Sequence, residues 1–211
     1  MKDGLYLVGG GGHCKACIDV IEEEGIYSIL GVVDLPAKLD EQVLGYRFVG
    51  TDNDLERLVK SDVGFLVTIG QVGSAAARVK AFNFLKKLGA LIPQVLSPCA
   101  HVSSHALIAE GTIVMHGVTV NASAKVGSNC ILNSHCLIEH DAQIADHCHI
   151  STGAIVNGAC KVGSRSFVGS NSVLAHGVEI AADVVVGAGS VVPRDIIDAG
   201  VYVGNPCRRI R

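Results

Sequence analysis

The sequence predicts a small α/β domain with a parallel sheet over residues 1–96, followed by an all-β parallel β-helix of about five coils over residues 97–211. From Val102 to Val192, a Val, Ile or Leu occupies every sixth position without a miss. A repeat of this period builds short strands joined by turns, and three strands complete one coil. Before the repeat, apolar strands alternate with helices in the order that forms a parallel sheet.

Two further positions of each hexad have a restricted composition. The fourth place after the aliphatic residue holds a small or slim residue, such as Ala124 or Ser172. The place directly after the aliphatic residue is often Gly or Asn, as at Asn121, Gly127 and Gly163. Since these residue types tolerate a positive φ, we expect the chain to turn its corners there.

The residues before the repeat predict a small Rossmann-like domain with four strands and three helices. The predicted strands are Leu5–Val8, Ile29–Val33, Gly64–Ile69 and Leu91–Leu96, and the predicted helices are Lys15–Glu24, Asp52–Ser61 and Ala75–Leu88. Right-handed crossovers join such elements into a parallel sheet. Ligands of these sheets bind at the carboxyl ends of the strands.

A glycine run, Gly9–Gly12, lies at one of these strand ends. Bare glycines let the backbone approach a phosphate, and the following helix offers its N-terminal amides to the anion. The run does not match the NAD fingerprint, because Cys14 stands where the third glycine is needed. A mononucleotide or a sugar nucleotide is therefore the favoured ligand, and glycines that serve only a tight turn are the alternative.

Six residues near these strand ends are candidates for substrate binding. They are Gly11, Gly12, His13, Asp34, Gly70 and Gln71. Asp34 is a candidate partner for the base, the ribose or the amino group of an acceptor, and Gly70 and Gln71 would flank it.

Composition excludes several function classes. The formal charge is −3 and no basic stripe is present, so we expect no nucleic-acid partner. No segment has the length and hydropathy of a membrane span, and the N-terminal residues do not resemble a secretory signal, so we expect a cytoplasmic protein without a membrane partner.

The eight cysteines do not form a metal-binding or disulfide pattern. Cys130, Cys136, Cys148 and Cys160 occupy the slim position of the hexad, which predicts small buried residues. Cys14 and Cys17 form a lone CxxC that we interpret as one face of a helix.

Several motifs together resemble one enzyme family. A GGGGH loop at Gly9–His13, IEHD at Ile138–Asp141, a second histidine at His149 and VGNP at Val203–Pro206 are similar to the NeuD/PglD-type sugar acyltransferases. The resemblance implies a left-handed β-helix and a homotrimer that transfers an acetyl group from acetyl-CoA. The implied acceptor is commonly the 4-amino group of a UDP- or GDP-linked deoxysugar in bacterial surface-glycan (lipopolysaccharide) synthesis.

The resemblance also implies roles for individual residues. His140 matches the catalytic base, and Asp141 stands where the family usually has a Glu that raises the basicity of this histidine. Glu139 or a backbone carbonyl are alternative partners of the ring. The residues implied to bind acetyl-CoA are His149, Gly169, Ser170, Gly187 and Ala188. Arg208, Arg209 and Arg211 would meet the CoA phosphates or form a solvated tail.

The chemistry of acyl transfer agrees with these residues. An amine that attacks a thioester loses a proton, and a neutral imidazole is a suitable acceptor for it. Residues eighteen apart stack in a β-helix, so His140, Gly158 and His176 should form one column. We hypothesise that Gly158 leaves room for the thioester and donates its backbone N–H to the oxyanion.

Three rival functions remain at this point. The same family O-acylates free sialic acid, and the same base would serve a hydroxyl acceptor. A non-catalytic scaffold that binds a sugar nucleotide is a second rival. The third is a zinc enzyme of the γ-carbonic anhydrase kind, since His135 and His140 have the ligand spacing of that group. Its third ligand position is Cys99, outside the repeat, and we therefore expect no metal cofactor.

Overall fold

The computed structural model describes residues 3–38, 41–59 and 62–211, which form an α/β domain followed by a parallel β-helix. The elements of the first domain are β1 (Asp3–Val8), α1 (Gly12–Glu24), β2 (Tyr27–Val33), β3 (Gln42–Val43), β4 (Tyr46–Gly50), α2 (Leu55–Leu58), β5 (Val63–Val67) and α3 (Ala76–Lys87). Single 3₁₀ turns are present at Pro36–Lys38 and Asp52–Asp54.

The sheet of the first domain has the strand order β3-β4-β2-β1-β5, and all its pairings are parallel except that of β3 with β4. Strands predicted around β1, β2 and β5 are confirmed. The β3–β4 hairpin was not predicted, because its two strands are short and carry no continuous apolar run. The structure thus places the carboxyl ends of β1, β2 and β5 next to one another.

Two predicted elements differ from the structure. The helix expected at Asp52–Ser61 is a 3₁₀ turn followed by the short helix α2, and its expected last residues, 60 and 61, lie outside the described residues. The strand expected at Leu91–Leu96 is divided, because Leu91 forms an isolated bridge with Gly64 whereas Val95–Leu96 pairs with the β-helix. Pro93 lies between the two parts and has no backbone N–H to continue a ladder.

Nineteen further strands, β6 to β24, build the second part of the chain. In order they are Val95–Leu96, His101–Val102, Leu107–Ile108, Ile113–Val114, Thr119–Val120, Lys125–Val126, Ile131–Leu132, Leu137–Ile138, Gln143–Ile144, His149–Ile150, Ile155–Val156, Lys161–Val162, Phe167–Val168, Val173–Leu174, Glu179–Ile180, Val184–Val186, Val191–Val192, Gly200–Gly204 and Cys207–Arg209.

These strands form the three faces of a prism. The first face contains β6, β9, β12, β15, β18, β21, β23 and β24, the second β7, β10, β13, β16, β19 and β22, and the third β8, β11, β14, β17 and β20. We number each corner after the face that it follows, so residues 133–135, 139–141 and 145–147 lie at first, second and third corners. The register is eighteen residues, as in the pairing of Val120 with Ile138 and of Ile138 with Val156.

The hexad aliphatic residues fill the prism. Every one from Val114 to Val192 is at most 4% exposed. The four cysteines at the slim position are also buried, as predicted, and Cys14 and Cys17 are buried on α1. Burial raises the pKa of the Cys14 thiol to about 11, so neither redox nor metal chemistry is expected of this CxxC.

The corners differ from the prediction in one respect. Positive φ falls on the third residue after each aliphatic from Ile108 to Val186, such as Ser123, Asn129 and Gly153, and not on the first residue as the glycine and asparagine pattern indicated. Glycine is favoured at the first place for another reason. A Cβ at Gly169 would lie 2.6 Å from the backbone nitrogen of Ala188 in the next coil, so stacking of the coils leaves no room for a side chain.

The first domain packs against the first face and its two flanking corners. Arg78 of α3, only 1% exposed, donates hydrogen bonds to the carbonyls of Asn129 and His147 at third corners. At a first corner, His116 contacts Asp19 of α1. In the part of the chain that the structure describes, no helix has the length and apolar character needed to cross a bilayer.

Candidate functional site

A cavity of about 1040 Å³ lies at the carboxyl ends of β1, β2 and β5. Its lining includes five of the six predicted substrate-binding residues, namely Gly11, Gly12, His13, Asp34 and Gly70. The sixth, Gln71, is not part of the lining. The cavity therefore forms where the strand pattern placed it, because parallel strands bring their carboxyl ends to one edge.

The four glycines of the loop have different reasons to be glycine. Gly9 has a φ of +105°, and a Cβ at Gly10 would collide with the ring of Phe48. Gly11 and Gly12 face open space, so the packing of the fold does not require glycine there. Because α1 begins at Gly12 and Gly11 provides no side-chain cap, backbone N–H groups at this end of the helix are left for an anion in the cavity.

Asp34 fixes the glycine loop to the end of β2. Its carboxylate accepts hydrogen bonds from the backbone N–H of Gly10 at 2.6 Å, from that of Leu35 at 2.7 Å and from Lys38 Nζ at 2.8 Å. Burial alone would raise the pKa of Asp34, but these bonds and the lysine charge lower it below the usual value. The carboxylate is therefore ionised at the cavity edge and holds a lysine there.

His13 has a partner within α1, whereas Gln71 connects the first domain with the β-helix. The Cys17 thiol lies 3.4 Å from His13 Nε2. Gln71 is buried, and each of its side-chain groups has a partner: its amide donates to the carbonyl of Arg165, and its Oε1 accepts from Arg78. Gln71 thus joins the two domains.

His149 lies on the first face, under the first domain, and is only 6% exposed. Its Nδ1 donates to the carbonyl of Gln71 at 2.7 Å, and its Nε2 accepts from the amide of Asn133 at 3.1 Å. Burial is the largest cause that lowers the pKa of His149 to about 4, and the charges of His13 and Arg78 lower it further. The ring is therefore neutral near pH 7, with one defined tautomer.

His140 lies at a second corner and is exposed, with 58% of its side chain accessible. Its Nδ1 is 2.8 Å from Oδ2 of Asp141. Because Nδ1–H of the neutral ring donates a hydrogen bond to the carboxylate, Nε2 keeps its lone pair. Asp141 has a φ of +62°, and aspartate is among the residues that adopt this left-handed conformation more readily. Glu139 binds the backbone N–H of His140 instead of the ring.

The column of His140, Gly158 and His176 is present as expected. A Cβ on Gly158 would lie 2.8 Å from both Cε1 and Nε2 of His140, and 3.2 Å from Nδ1 of His176. The two imidazole rings are 6.3 Å apart. The absent side chain thus leaves the space in which the basic nitrogen of His140 is held.

The remaining residues that the sequence suggested for acetyl-CoA lie together at first corners, on adjacent coils. Gly169 and Ser170 occupy one coil, and Gly187 and Ala188 the next. The Ser170 hydroxyl is hydrogen-bonded to that of Ser151 at 2.9 Å. The close approach of the next coil to Gly169 is by itself sufficient to explain why this position is glycine.

One protomer does not bring all these groups together. His140 is at a second corner, whereas the cavity belongs to the domain that covers the first face. His135 is at a first corner, so within one protomer it and His140 lie on different corners of the prism.

The cavity contains residues that sequence analysis missed. Lys80, Asn83 and Lys87 of α3 line it, together with Lys38. The sequence indicates that Lys80 and Lys87 could act together, because they are seven residues apart and so share one face of a helix. Arg78 was also missed, since an arginine in an exposed-looking helix gives no indication that it is buried between domains.

Comparisons with known proteins agree with this architecture. The PglD N-terminal domain family matches residues 4–83, and the GMPPB C-terminal domain family matches residues 96–206. A variant of perosamine N-acetyltransferase from Caulobacter crescentus, solved with CoA and GDP-perosamine, is 32% identical, with a TM-score of 0.91 over 98% of this chain and 96% of that one.

A second solved structure covers both chains in full. The acetyltransferase domain of PglB from Neisseria gonorrhoeae FA1090, in complex with acetyl coenzyme A, is 27% identical, with a TM-score of 0.93 over 100% of each chain. These likenesses extend through both domains and the connection between them. The chain therefore belongs to the NeuD/PglD-type family of sugar acetyltransferases.

Proposed function

We propose that the protein transfers the acetyl group of acetyl-CoA to the amino group of a nucleotide-linked amino-deoxysugar, commonly the 4-amino group. The observation that carries the proposal is the pair of His140 and Asp141, an exposed imidazole whose Nδ1 contacts a carboxylate at 2.8 Å. The similar perosamine N-acetyltransferase, solved with GDP-perosamine, supports GDP as the first nucleotide to test and UDP as the second.

The cavity would hold the nucleotide. Its volume of about 1040 Å³ suits a ligand of this size. The diphosphate would lie at the N-terminus of α1, beside Gly11 and Gly12, where backbone N–H groups and the helix dipole favour negative charge. Lys38, Lys80 and Lys87 add positive charge around the same space.

His140 would act as the general base. As the sugar amine attacks the thioester carbonyl, Nε2 takes a proton from the amine nitrogen, while Asp141 holds the ring and stabilises its cationic form. The tetrahedral intermediate then loses CoA by cleavage of the C–S bond, and the imidazolium returns the proton to the sulfur. Gly158 is our candidate for the N–H that binds the oxyanion, and His149 with the first-corner residues for the acetyl-CoA site.

A homotrimer would complete the site. Since the cavity and His140 lie on different sides of one protomer, a sugar bound in the cavity needs a base from elsewhere. A cyclic trimer juxtaposes different faces of neighbouring protomers, so His140 of one copy would meet the sugar held by the next. We propose the cytoplasm as the location of the reaction.

Release of free CoA thiol tests the proposal. Purified protein is assayed with acetyl-CoA and GDP-perosamine, a UDP-linked 4-amino sugar or free sialic acid. We expect kcat/KM for one nucleotide-linked amine to exceed that for sialic acid by at least about 100-fold, because only the former fills the cavity. Acetylation of sialic acid alone would establish O-acylation instead, and nucleotide-sugar binding without turnover would indicate a scaffold.

A glycine substitution distinguishes an effect on ligand binding in the cavity from an effect on the stability of the fold. Gly11→Ala adds a methyl group that meets no protein atom within 4 Å but projects at the cavity. KM for the nucleotide sugar should rise about tenfold with unchanged thermal stability. Gly73→Ala is the matched control, since that glycine also has open space around it and does not line the cavity.

A further inference from the structure

Four potential metal ligands converge where α1 crosses the first corner of the β-helix. Glu23, Cys99 and His116 each offer a ligand atom, and these atoms all lie within 4.8 Å of one another. Asp19 completes the group, with its Oδ2 3.0 Å from Nε2 of His116. This group lies apart from the residues that line the nucleotide cavity and from His140.

The geometry is close to that of a tetrahedral site. Ligand atoms around zinc lie about 3.3–3.8 Å apart, given bonds of about 2.0–2.3 Å. The Cys99 sulfur is 3.8 Å from Oε2 of Glu23. Glu23 and Asp19 are four residues apart on α1, so both carboxylates leave the helix on the same face. Glu23, Cys99 and His116 already have ligand atoms within 4.8 Å of one another, whereas Asp19 is close to His116 and would complete the site by rotation of its exposed side chain.

Buried Ser97 orients two of the four ligands. Its hydroxyl oxygen accepts the backbone N–H of Cys99 at 3.0 Å and lies 2.6 Å from Nδ1 of His116. When Nδ1 carries the proton and donates it to this oxygen, Nε2 presents its lone pair to the space shared with the carboxylates. Metal-binding histidines are characteristically oriented by such a hydrogen bond from the other ring nitrogen.

We propose that Asp19, Glu23, Cys99 and His116 form a binding site for a borderline-soft divalent cation of the zinc type. A thiolate and an imidazole favour zinc over calcium or magnesium, which prefer oxygen ligands alone. Two ligands come from the first domain and two from first corners of adjacent coils, so the ion would fasten α1 to the β-helix. The role is structural.

Zinc retention tests the site on the full-length protein. The chain is stripped with a chelator, incubated with Zn²⁺, desalted and analysed for metal. We expect about one zinc ion per chain in the wild type and less than a tenth of that in Cys99→Ser and His116→Gln. His105→Gln is the matched control, an exposed histidine outside the group, and should retain zinc like the wild type.

Co²⁺ identifies the ligands directly. The wild type should show a thiolate-to-cobalt charge-transfer band that Cys99→Ser lacks, since the other cysteines are buried. Ser97→Ala should weaken Zn²⁺ binding about 10- to 100-fold by releasing His116. Zn²⁺ should also raise the Tm of the wild type but not of Cys99→Ser. A wild type that retains no zinc, or a Cys99→Ser variant that retains as much as the wild type, would overturn the proposal.

Discussion

His140 and His149 are nine residues apart in one repeat, yet their surroundings are opposite. His140 is exposed at a second corner, with a carboxylate at its Nδ1 and space at its Nε2. His149 is buried on the first face, with a carbonyl at Nδ1, an amide at Nε2 and a pKa lowered to about 4. The same side chain is therefore suited to proton transfer in one place and to a fixed neutral contact in the other.

The difference arises from what covers each face. The first domain lies over the first face and removes His149 from water, whereas the described residues leave the second corner open. Burial disfavours a charged imidazole and so keeps His149 neutral. The position of the α/β domain thus assigns the two histidines their chemistry.

The largest expected effect is the loss of the proposed base, His140. His140→Asn should lower kcat about 10²- to 10⁴-fold, since that is the usual contribution of a general base, with little change in Tm. His105→Asn is the control, because His105 is an exposed histidine at another second corner. CoA release measures both variants. Equal activity of His140→Asn and the wild type would remove His140 from the mechanism.

The next effect concerns the space beside His140. Gly158→Ala should lower kcat about 100-fold, because its methyl group displaces the imidazole, and a displacement of about 1 Å is enough for such a loss. Stability should change little, since the rings at this corner can move into solvent. The double variant Gly158→Ala/His176→Ala should regain part of the activity, because removal of the His176 ring leaves space next to the added methyl group. If it regains none, crowding between the two rings is not the cause of the loss.

The buried histidines make stability depend on pH. Burial, and secondarily the charge of Arg78, lowers the pKa of His13 to about 4, and that of His149 is also about 4, against 6.5 for an ordinary histidine. The unfolded chain then binds more protons than the folded chain between pH 6.5 and 4, so stability is full above pH 6.5 and falls as the pH falls to 4. We expect His149 alone to lower the free energy of unfolding by on the order of 3 kcal/mol across this range, which chemical denaturation measures.

A variant isolates that contribution. His149→Asn should be less stable than the wild type at pH 7.5 but should lose less stability on acidification. His105→Asn should retain the full wild-type pH dependence, since His105 is exposed. Parallel curves for His149→Asn and the wild type would show that His149 does not titrate as its burial requires.

The smallest effect is expected for the partner of the base. Asp141→Asn should lower kcat no more than about fivefold, equivalent to about 1 kcal/mol, because exposed charge pairs contribute little. The measurement is CoA release at saturating substrates. A loss as large as that of His140→Asn would mean that the pair is shielded from water in the assembled enzyme.

Much of the fold was predictable because its signals are local and repeated. The hexads specified the strands, their eighteen-residue register and the column of His140, Gly158 and His176. The reason for the corner glycines was not predictable, since both a positive φ and a close approach of the next coil favour glycine. Only the stacked coils show that the second reason applies at Gly169.

The sequence by itself determined the order of the two domains, the repeat, the glycine loop and the histidine–aspartate pair, because each is a pattern of neighbouring or regularly spaced residues. Tertiary structure decided the burial of His149, the interdomain role of Arg78 and Gln71, and the convergence of Asp19, Glu23, Cys99 and His116. Each of these depends on how the α/β domain packs on the first face, a contact between residues far apart in the chain that no local periodicity encodes.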